Sequence, residues 1–310
     1  NQKTLSFALS LAALWAVETA MAQEKKPGIN LDLMDKSVQP GDDFFRYVNG
    51  AWYDKTDIPA DRTRWGSFDE LRQNTDKDAL AILKEAVANK KLDPKSDQAK
   101  AVNVYRTYMD TLARNKRGID PIKKTLAKID AVKTSADLNK LLIERQSLGG
   151  LGFYGMSVGV DAKNSNRNVL NIGPGSLGLP DRDYYVAEDA DSKEKRVKYV
   201  SHVARMLQYL GLSEAKAKAD AERVLAFETA MAQPRMDRVE RRDRRKSYNP
   251  MTLAQLQELT PSVNWKNYIS ASGIKQIDTV IVSQPKYMTA LEGLLQSKNV
   301  EDWKAYMRWT

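Results

Sequence analysis

The chain has 310 residues, enough for one large domain or two, each with its own core. Hydrophobic residues make up 42% and charged residues 29%, the balance of an ordinary soluble protein, and there is no internal repeat or low-complexity segment. The net charge of +9 favours acidic partners, but the positive residues are scattered among acids and no nucleic-acid motif interleaves them with aromatics, so a nucleic-acid partner is not expected. There is no cysteine, which excludes a disulfide framework, a thiolate site and a lipid-attached cysteine. A large core manages without such staples even in an oxidising compartment.

Residues 1–22 read as a secretory signal. Lys3 supplies a charge, Phe7 to Val17 is apolar apart from one serine, and Ala20-Met21-Ala22 forms a small-x-small cleavage site before Gln23. Lys3 and Glu18 cancel, so removal leaves the net charge unchanged. The apolar run falls short of the ~20 residues of a spanning helix, and an uncleaved anchor is the alternative reading. Residues 23–41 are polar, with Pro27, Gly28 and Pro40, and predict an extended arm. Both ends read as cut: the chain begins at Asn1, and Trp303 to Thr310 is an amphipathic helical pattern with no stop signal after it.

From Gly41 to Thr75 the sequence is dense in helix signals. Asp42 or Asp43 is positioned to cap a short helix with Phe44, Phe45, Val48 and Trp52 on its apolar face. Asn49-Gly50 is expected to loosen that helix, and Ile58-Pro59 forces an extended crossing. Ser67 and Glu70 fit a capping box for a long helix over Phe68 to Asn89. Arg64 lies just before that helix and Arg72 inside it. They can grip an anion at the helix start, or they are solvated and make local salt bridges.

Helices are predicted next over Ser96 to Arg114, with Ala99, Val102, Tyr105, Tyr108 and Met109 on the inner side, then over Ile119 to Ile129 and Leu138 to Gln146. Gly149-Gly150 ends this section. Phe153 to Val160 alternates as a strand, Val169 to Ile172 is its candidate partner, and the polar turn between them predicts a hairpin. A Gly/Pro-rich loop, Gly173 to Pro180, leads to Asp181-Arg182-Asp183-Tyr184-Tyr185, which reads as a buried structural network. Asp191 to Tyr209 and Ser213 to Met231 are helices split by Gly211. Met236 to Lys246 is densely basic and reads as either an anion site or, preferably, a solvated surface punctuated by Asp237, Glu240 and Asp243. Thr252 and Gln255 make a capping box, Ile277 to Val282 a short strand, and Pro285 opens a helix to about Gln296. The fold class is mainly α with a small β element.

Chemistry is hard to place on these residues. His202 is the single histidine, with no glutamate beside it and no second histidine a turn away, so no zinc site can be built from this chain. A G-x-S-x-G elbow, a P-loop and a dinucleotide fingerprint are all missing.

Three segments nevertheless carry a resemblance. DDFFRYVNGAW with the following Ile-Pro and RWGSFDELR, then KNSNRNVLNIGPGSLGLPDRDYY (Lys163 to Tyr185), then RRDRRKSYNPMTLAQLQEL (Arg241 to Leu259), occur in the order found in neprilysin-like zinc metallopeptidases, the family of neprilysin and endothelin-converting enzyme. The chain resembles the N-terminal part of that family from about residue 30 onward. The resemblance implies a helical enclosing domain of a two-domain zincin-like peptidase, with residues 42–310 forming its N-terminal region and the C-terminal catalytic domain missing. It implies zinc in the complete enzyme, none bound by this chain, oligopeptide substrates, and hydrolysis by a zinc-activated water supplied by the missing half. It also maps Arg64 and Arg72 onto the arginines that hold the substrate's C-terminal carboxylate. Vertebrate members are disulfide-rich, so a cysteine-free chain points to a periplasmic or secreted bacterial-type member that meets a membrane only during export. The competing reading is a stand-alone exported peptide-binding protein without catalysis. Whether H-E-x-x-H is encoded beyond Thr310 separates the two.

Overall fold

Short-range signals in the sequence set most of the element ends in the computed structural model, which describes residues 28–297 and 299–310. The signal-like segment 1–22 and residues 23–27 of the arm lie outside the described residues. Internal contacts divide the chain into two compact units, up to Met109 and from Asp110 to Thr310.

The first unit starts with a single 3-10 turn, Leu31–Leu33, followed by helices α1 (Phe44–Lys55), α2 (Ser67–Ala88) and α3 (Asp97–Met109). Asp43 caps α1 by accepting from the Arg46 N–H at 2.9 Å. Asn49-Gly50 does not loosen α1, as the sequence had led us to expect; the helix runs on to Lys55. Gly50 is there for space instead: a Cβ on it would sit 2.4 Å from the Asp35 Cβ, where the arm crosses. Nor does the Ser67/Glu70 box form. Gly66 is the cap residue and Ser67 is already helical, so its hydroxyl lies one position too late to serve the free N–H groups. Asp69 and Glu70 in the first turn still complement the helix dipole. Buried residues here are few: Gly50, Ala99 and Val102. Several positions with core-like spacing face water, including Phe44 at 68%, Phe68 at 87% and Tyr108 at 68% exposure.

The helix expected to run from Ser96 to Arg114 stops at Met109. Asp110 takes a non-helical backbone and accepts from the Ala113 N–H at 2.9 Å, which starts α4 (Thr111–Arg117). In the second unit follow α5 (Asp120–Asp130), with Pro121 in its first turn, and α6 (Ser135–Gln146), opened by a Thr134/Asp137 capping box. The hairpin of β1 (Tyr154–Asp161) and β2 (Asn164–Pro174) pairs antiparallel, Val158 opposite Leu170. Then come α7 (Asp183–Val186), α8 (Ala190–Tyr209) and α9 (Glu214–Ala232), the last two separated at Gly211, whose φ of +93° suits glycine. A 3-10 turn (Glu240–Arg242), α10 (Arg244–Ser247), β3 (Pro250–Met251), α11 (Leu253–Leu259) and α12 (Trp265–Ser270) lead to β4 (Val280–Val282), α13 (Pro285–Gln296) and α14 (Val300–Trp309). The Thr252/Gln255 box caps α11 as its spacing predicts.

The sheet has the order β1-β2-β4-β3. Its one parallel pair joins β2 to β4, Leu170 opposite Val280, and needs the long helical crossover between them. β4 is buried along its whole length, which is why it is apolar at every position rather than alternating. Phe153, Trp265, Tyr268, Tyr287, Trp303 and Tyr306 fill the core against this sheet, and Phe153 meets Tyr306 edge-on at 5.1 Å. A smaller apolar cluster joins α8, α9 and α14 through Val203, Leu207, Ala217, Ala221, Val224 and Ala305. Among the described residues no helix is long and apolar enough to cross a membrane.

Candidate functional site

Arg64 and Arg72 lie in the first unit. After Ile58-Pro59 the chain makes a turn in which the Arg62 N–H donates to the Pro59 carbonyl at 2.8 Å, and no regular element follows until α2 starts. Arg64 therefore sits three residues before the first helical position, and Arg72 five residues after it, about 7.5 Å further along the axis. The Arg64 side chain is 86% exposed and its one ionic neighbour is Asp69 at 4.0 Å. Arg72 is exposed and has no ion pair or hydrogen bond among the described residues. Two exposed guanidinium groups near the positive end of a long helix, one loosely paired and one with no partner among the described residues, have the chemistry to receive a carboxylate.

Two cavities of the second unit adjoin the segment that follows α9. One of about 510 Å³ lies between the Gly/Pro-rich loop after β2 and that segment, with Arg182, Arg235, Met236, Arg241 and Gln284 in its wall. A neighbouring one of about 610 Å³ shares Arg182, Arg235, Met236 and Gln284. Arg235 is fixed by hydrogen bonds from Nε to the Met231 carbonyl at 3.2 Å and from Nη1 to the Gly175 carbonyl at 2.9 Å, and it stacks over the Tyr287 ring at 4.9 Å. Gly175 itself lies against the Gly152 main chain, where a Cβ would overlap the Gly152 carbonyl oxygen.

The basic segment Met236 to Lys246 is not simply a solvated surface. Arg238 Nε and Arg241 Nη2 donate to the same Asp181 oxygen at 3.1 and 2.6 Å. Burial, the largest influence on Asp181, would raise its carboxyl; the hydrogen bonds and charges of Arg241 and Arg238 outweigh it and hold the group below its ordinary range. The Asp181–Tyr185 cluster does form a network, but its centre is a residue the sequence did not single out. Glu228, fully buried on α9, accepts from the Gly178 N–H at 3.0 Å, the Tyr185 hydroxyl at 2.9 Å and the Tyr199 hydroxyl at 2.7 Å. Burial raises Glu228 and outweighs these bonds and the nearby Arg235 charge. Its signal was readable: it continues the buried run Ala217, Ala221, Val224, where an apolar residue is expected.

The donor chemistry of this chain does not fit a catalytic zinc. His202 is exposed on α8 with its ring edge-on to Trp309 at 5.8 Å, and among the described residues no group of three or more histidines, cysteines or carboxylates could hold a metal.

This helical fold with a small mixed sheet is that of the N-terminal domain of neprilysin-like zinc metalloproteases. A solved structure of zinc metalloprotease ZMP1 from Mycobacterium tuberculosis, bound to an inhibitor, superposes with a TM-score of 0.82 at 32% identity, covering 91% of this chain and 43% of that one. Residues 40–310 match the family model described as peptidase family M13, and the chain belongs to that family. Endothelin-converting enzyme 1 of Rattus norvegicus is 27% identical over 290 residues, with 90% of this chain and 37% of the relative covered. Neprilysin of Mus musculus is 29% identical over 309 residues, covering 89% of this chain and 40% of the relative. The chain thus spans about two fifths of the length of these relatives.

Proposed function

We propose that residues 42–310 are the N-terminal, substrate-enclosing region of an exported zinc metalloendopeptidase that hydrolyses oligopeptides, and that Arg64 and Arg72 hold the C-terminal carboxylate of the substrate. Membership of peptidase family M13 supports the peptidase reading, and the named activities of the relatives support zinc as the metal of the complete enzyme. This chain supplies shape and substrate contacts, while the metal ligands belong to a catalytic domain beyond the compared region. The signal-like residues 1–22 support export to the periplasm or the exterior.

The observation that carries the binding role is the exposure of both guanidinium groups: Arg64 with one long ion pair, to Asp69 at 4.0 Å, and Arg72 with no partner among the described residues, both near the start of α2. Unpaired arginine forks bind carboxylates better than arginines already engaged in salt bridges, because no existing bond has to be broken. Replacing Arg64 with alanine in the complete enzyme tests it: discrimination between peptides with free and amidated C-termini should fall.

A further inference from the structure

We propose that the cleft between the loop Pro174 to Arg182 and the segment Arg235 to Arg241 is a second anion site, which receives an acidic side chain of a bound peptide through Arg182 and Arg235. The peptide nature of the ligand rests on the peptidase reading above; the preference for a carboxylate rests on the cleft alone.

Three observations carry it. Charge comes first. Arg182, Arg235 and Arg241 all line the cleft; the acid in its wall, Asp181, is engaged by Arg238 and Arg241, and Glu240, in the wall of the adjoining cavity, is paired with Lys246 at 3.3 Å. Arg235 has no carboxylate within ion-pair distance among the described residues. The buried acid nearest in its field, Glu228, is biased by burial toward its neutral form. Among the described residues Arg182 is paired with Asp183 alone, at 3.2 Å, and Asp183 is half-exposed, so the bond has little strength.

Unused donors come second. Arg182 Nε and Arg235 Nη2 are shielded from solvent and have no hydrogen-bond partner among the described residues. A buried guanidinium N–H without an acceptor is destabilising, and native proteins leave few of them except where a ligand, ion or water completes the set. Gln284 holds the Met236 N–H through its amide oxygen at 2.8 Å, which leaves its amide nitrogen free to donate toward the same space.

Rigidity and size come third. The Arg235 fork is locked by two main-chain carbonyls and an aromatic face, so it loses little freedom on binding. The two cavities that share these residues, about 510 and 610 Å³, greatly exceed the volume of one small anion. Leu177, Leu179, Pro180 and Met236 add apolar wall to the larger polar surface. A short stretch of peptide with one carboxylate side chain fits this mixture better than a free inorganic anion does.

The test is calorimetric titration of the 310-residue chain with an end-blocked hexapeptide carrying two glutamates, the same peptide with glutamines, and inorganic phosphate. Blocking both ends removes the C-terminal carboxylate that Arg64 and Arg72 would hold. The glutamate peptide should bind roughly tenfold or more tighter than the glutamine peptide at low salt, and the difference should shrink as salt rises. Arg182→Gln should remove the preference, with a melting temperature matching the parent; Arg235→Gln should do the same if it folds, and Arg64→Ala should leave it intact. Equal binding of the two peptides, or an undiminished preference in Arg182→Gln, overturns the assignment. So does phosphate binding while the glutamate peptide does not bind. If the complete enzyme keeps its Arg64-dependent preference for free C-termini while these titrations fail, this second site alone is refuted.

Discussion

Replacing Glu228 with glutamine probes the best-defined polar network in the second unit. Oε1 of Glu228 takes the Gly178 N–H, and Oε2 takes the hydroxyls of Tyr185 and Tyr199. The Tyr185 hydroxyl in turn accepts from the Leu179 N–H at 2.7 Å, so the carboxylate pins the loop to α8 and α9. An amide offers one acceptor and one donor. With nitrogen toward Gly178 it confronts an N–H that cannot turn away; with nitrogen toward the tyrosines it confronts two hydroxyls that now need other acceptors. Either orientation strands at least one buried donor, at a cost of about 1–3 kcal/mol. For a unit of this length, about 2 kcal/mol lowers the melting temperature by about 4–8 °C. The pH dependence adds a second readout. Below the ordinary carboxyl value of 4.5 the proton is bound in both the folded and the unfolded chain; between 4.5 and the raised folded value only the folded chain holds it. Stability contributed by Glu228 is therefore fully present at acidic pH and declines as pH rises through that window, while the glutamine variant lacks the decline. Thermal melts by circular dichroism between pH 4 and 8 should show the parent–variant gap widest at the acidic end. Melting temperatures within about 1 °C at every pH would refute this reasoning.

Asp161 titrates in the opposite sense. The Lys163 N–H and the Arg167 guanidinium, with the Tyr248 hydroxyl, lower it to about 2, so its stabilising contribution is present above its unfolded value near 3.8 and lost as pH falls through about 2. Asp161→Asn should melt below the parent at pH 7, with the gap closing toward pH 2; a gap independent of pH would contradict the pairing. Gly293 lies inside α13 with open space where a Cβ would go, so Gly293→Ala should raise stability by about 0.5–1 kcal/mol in chemical denaturation, and a loss would show that the glycine is needed there.

Local signals were legible and long-range ones were not. Pro285 to Gln296, the Thr252/Gln255 box and the hairpin around Asp161 follow from neighbouring residues alone, and the structure has all of them. Asp110 is an equally good cap signal but sits inside an unbroken helical period, so its capping of α4 was hidden. Gly50 looked like a flexible joint because its reason, the closeness of Asp35, is a tertiary contact. The grip of Arg238 and Arg241 on Asp181 spans 57 and 60 residues of sequence and has no local sign. The two-residue strand β3 is too short for any periodicity. In the first unit, spacing identified which residues are apolar but not whether they are covered: Phe68 and Leu71 recur at helical intervals and are 87% and 62% exposed. Of the candidate site, the arginines of RWGSFDELR were found through family resemblance. Arg235 required the fold, and Glu228 showed in the sequence only as an acid on an otherwise apolar helical stripe.

The central claim is that the arginines flanking α2 capture the substrate's terminal carboxylate. The most direct measurement is kcat/KM of the complete enzyme for one peptide with a free C-terminus and for its amidated twin, before and after Arg64→Ala. A charge-assisted bond of about 1.5–3 kcal/mol predicts a preference for the free peptide of roughly 10-fold or more, collapsing toward unity in the variant through the free peptide alone. An equal loss on both peptides, or no loss on either, would contradict it.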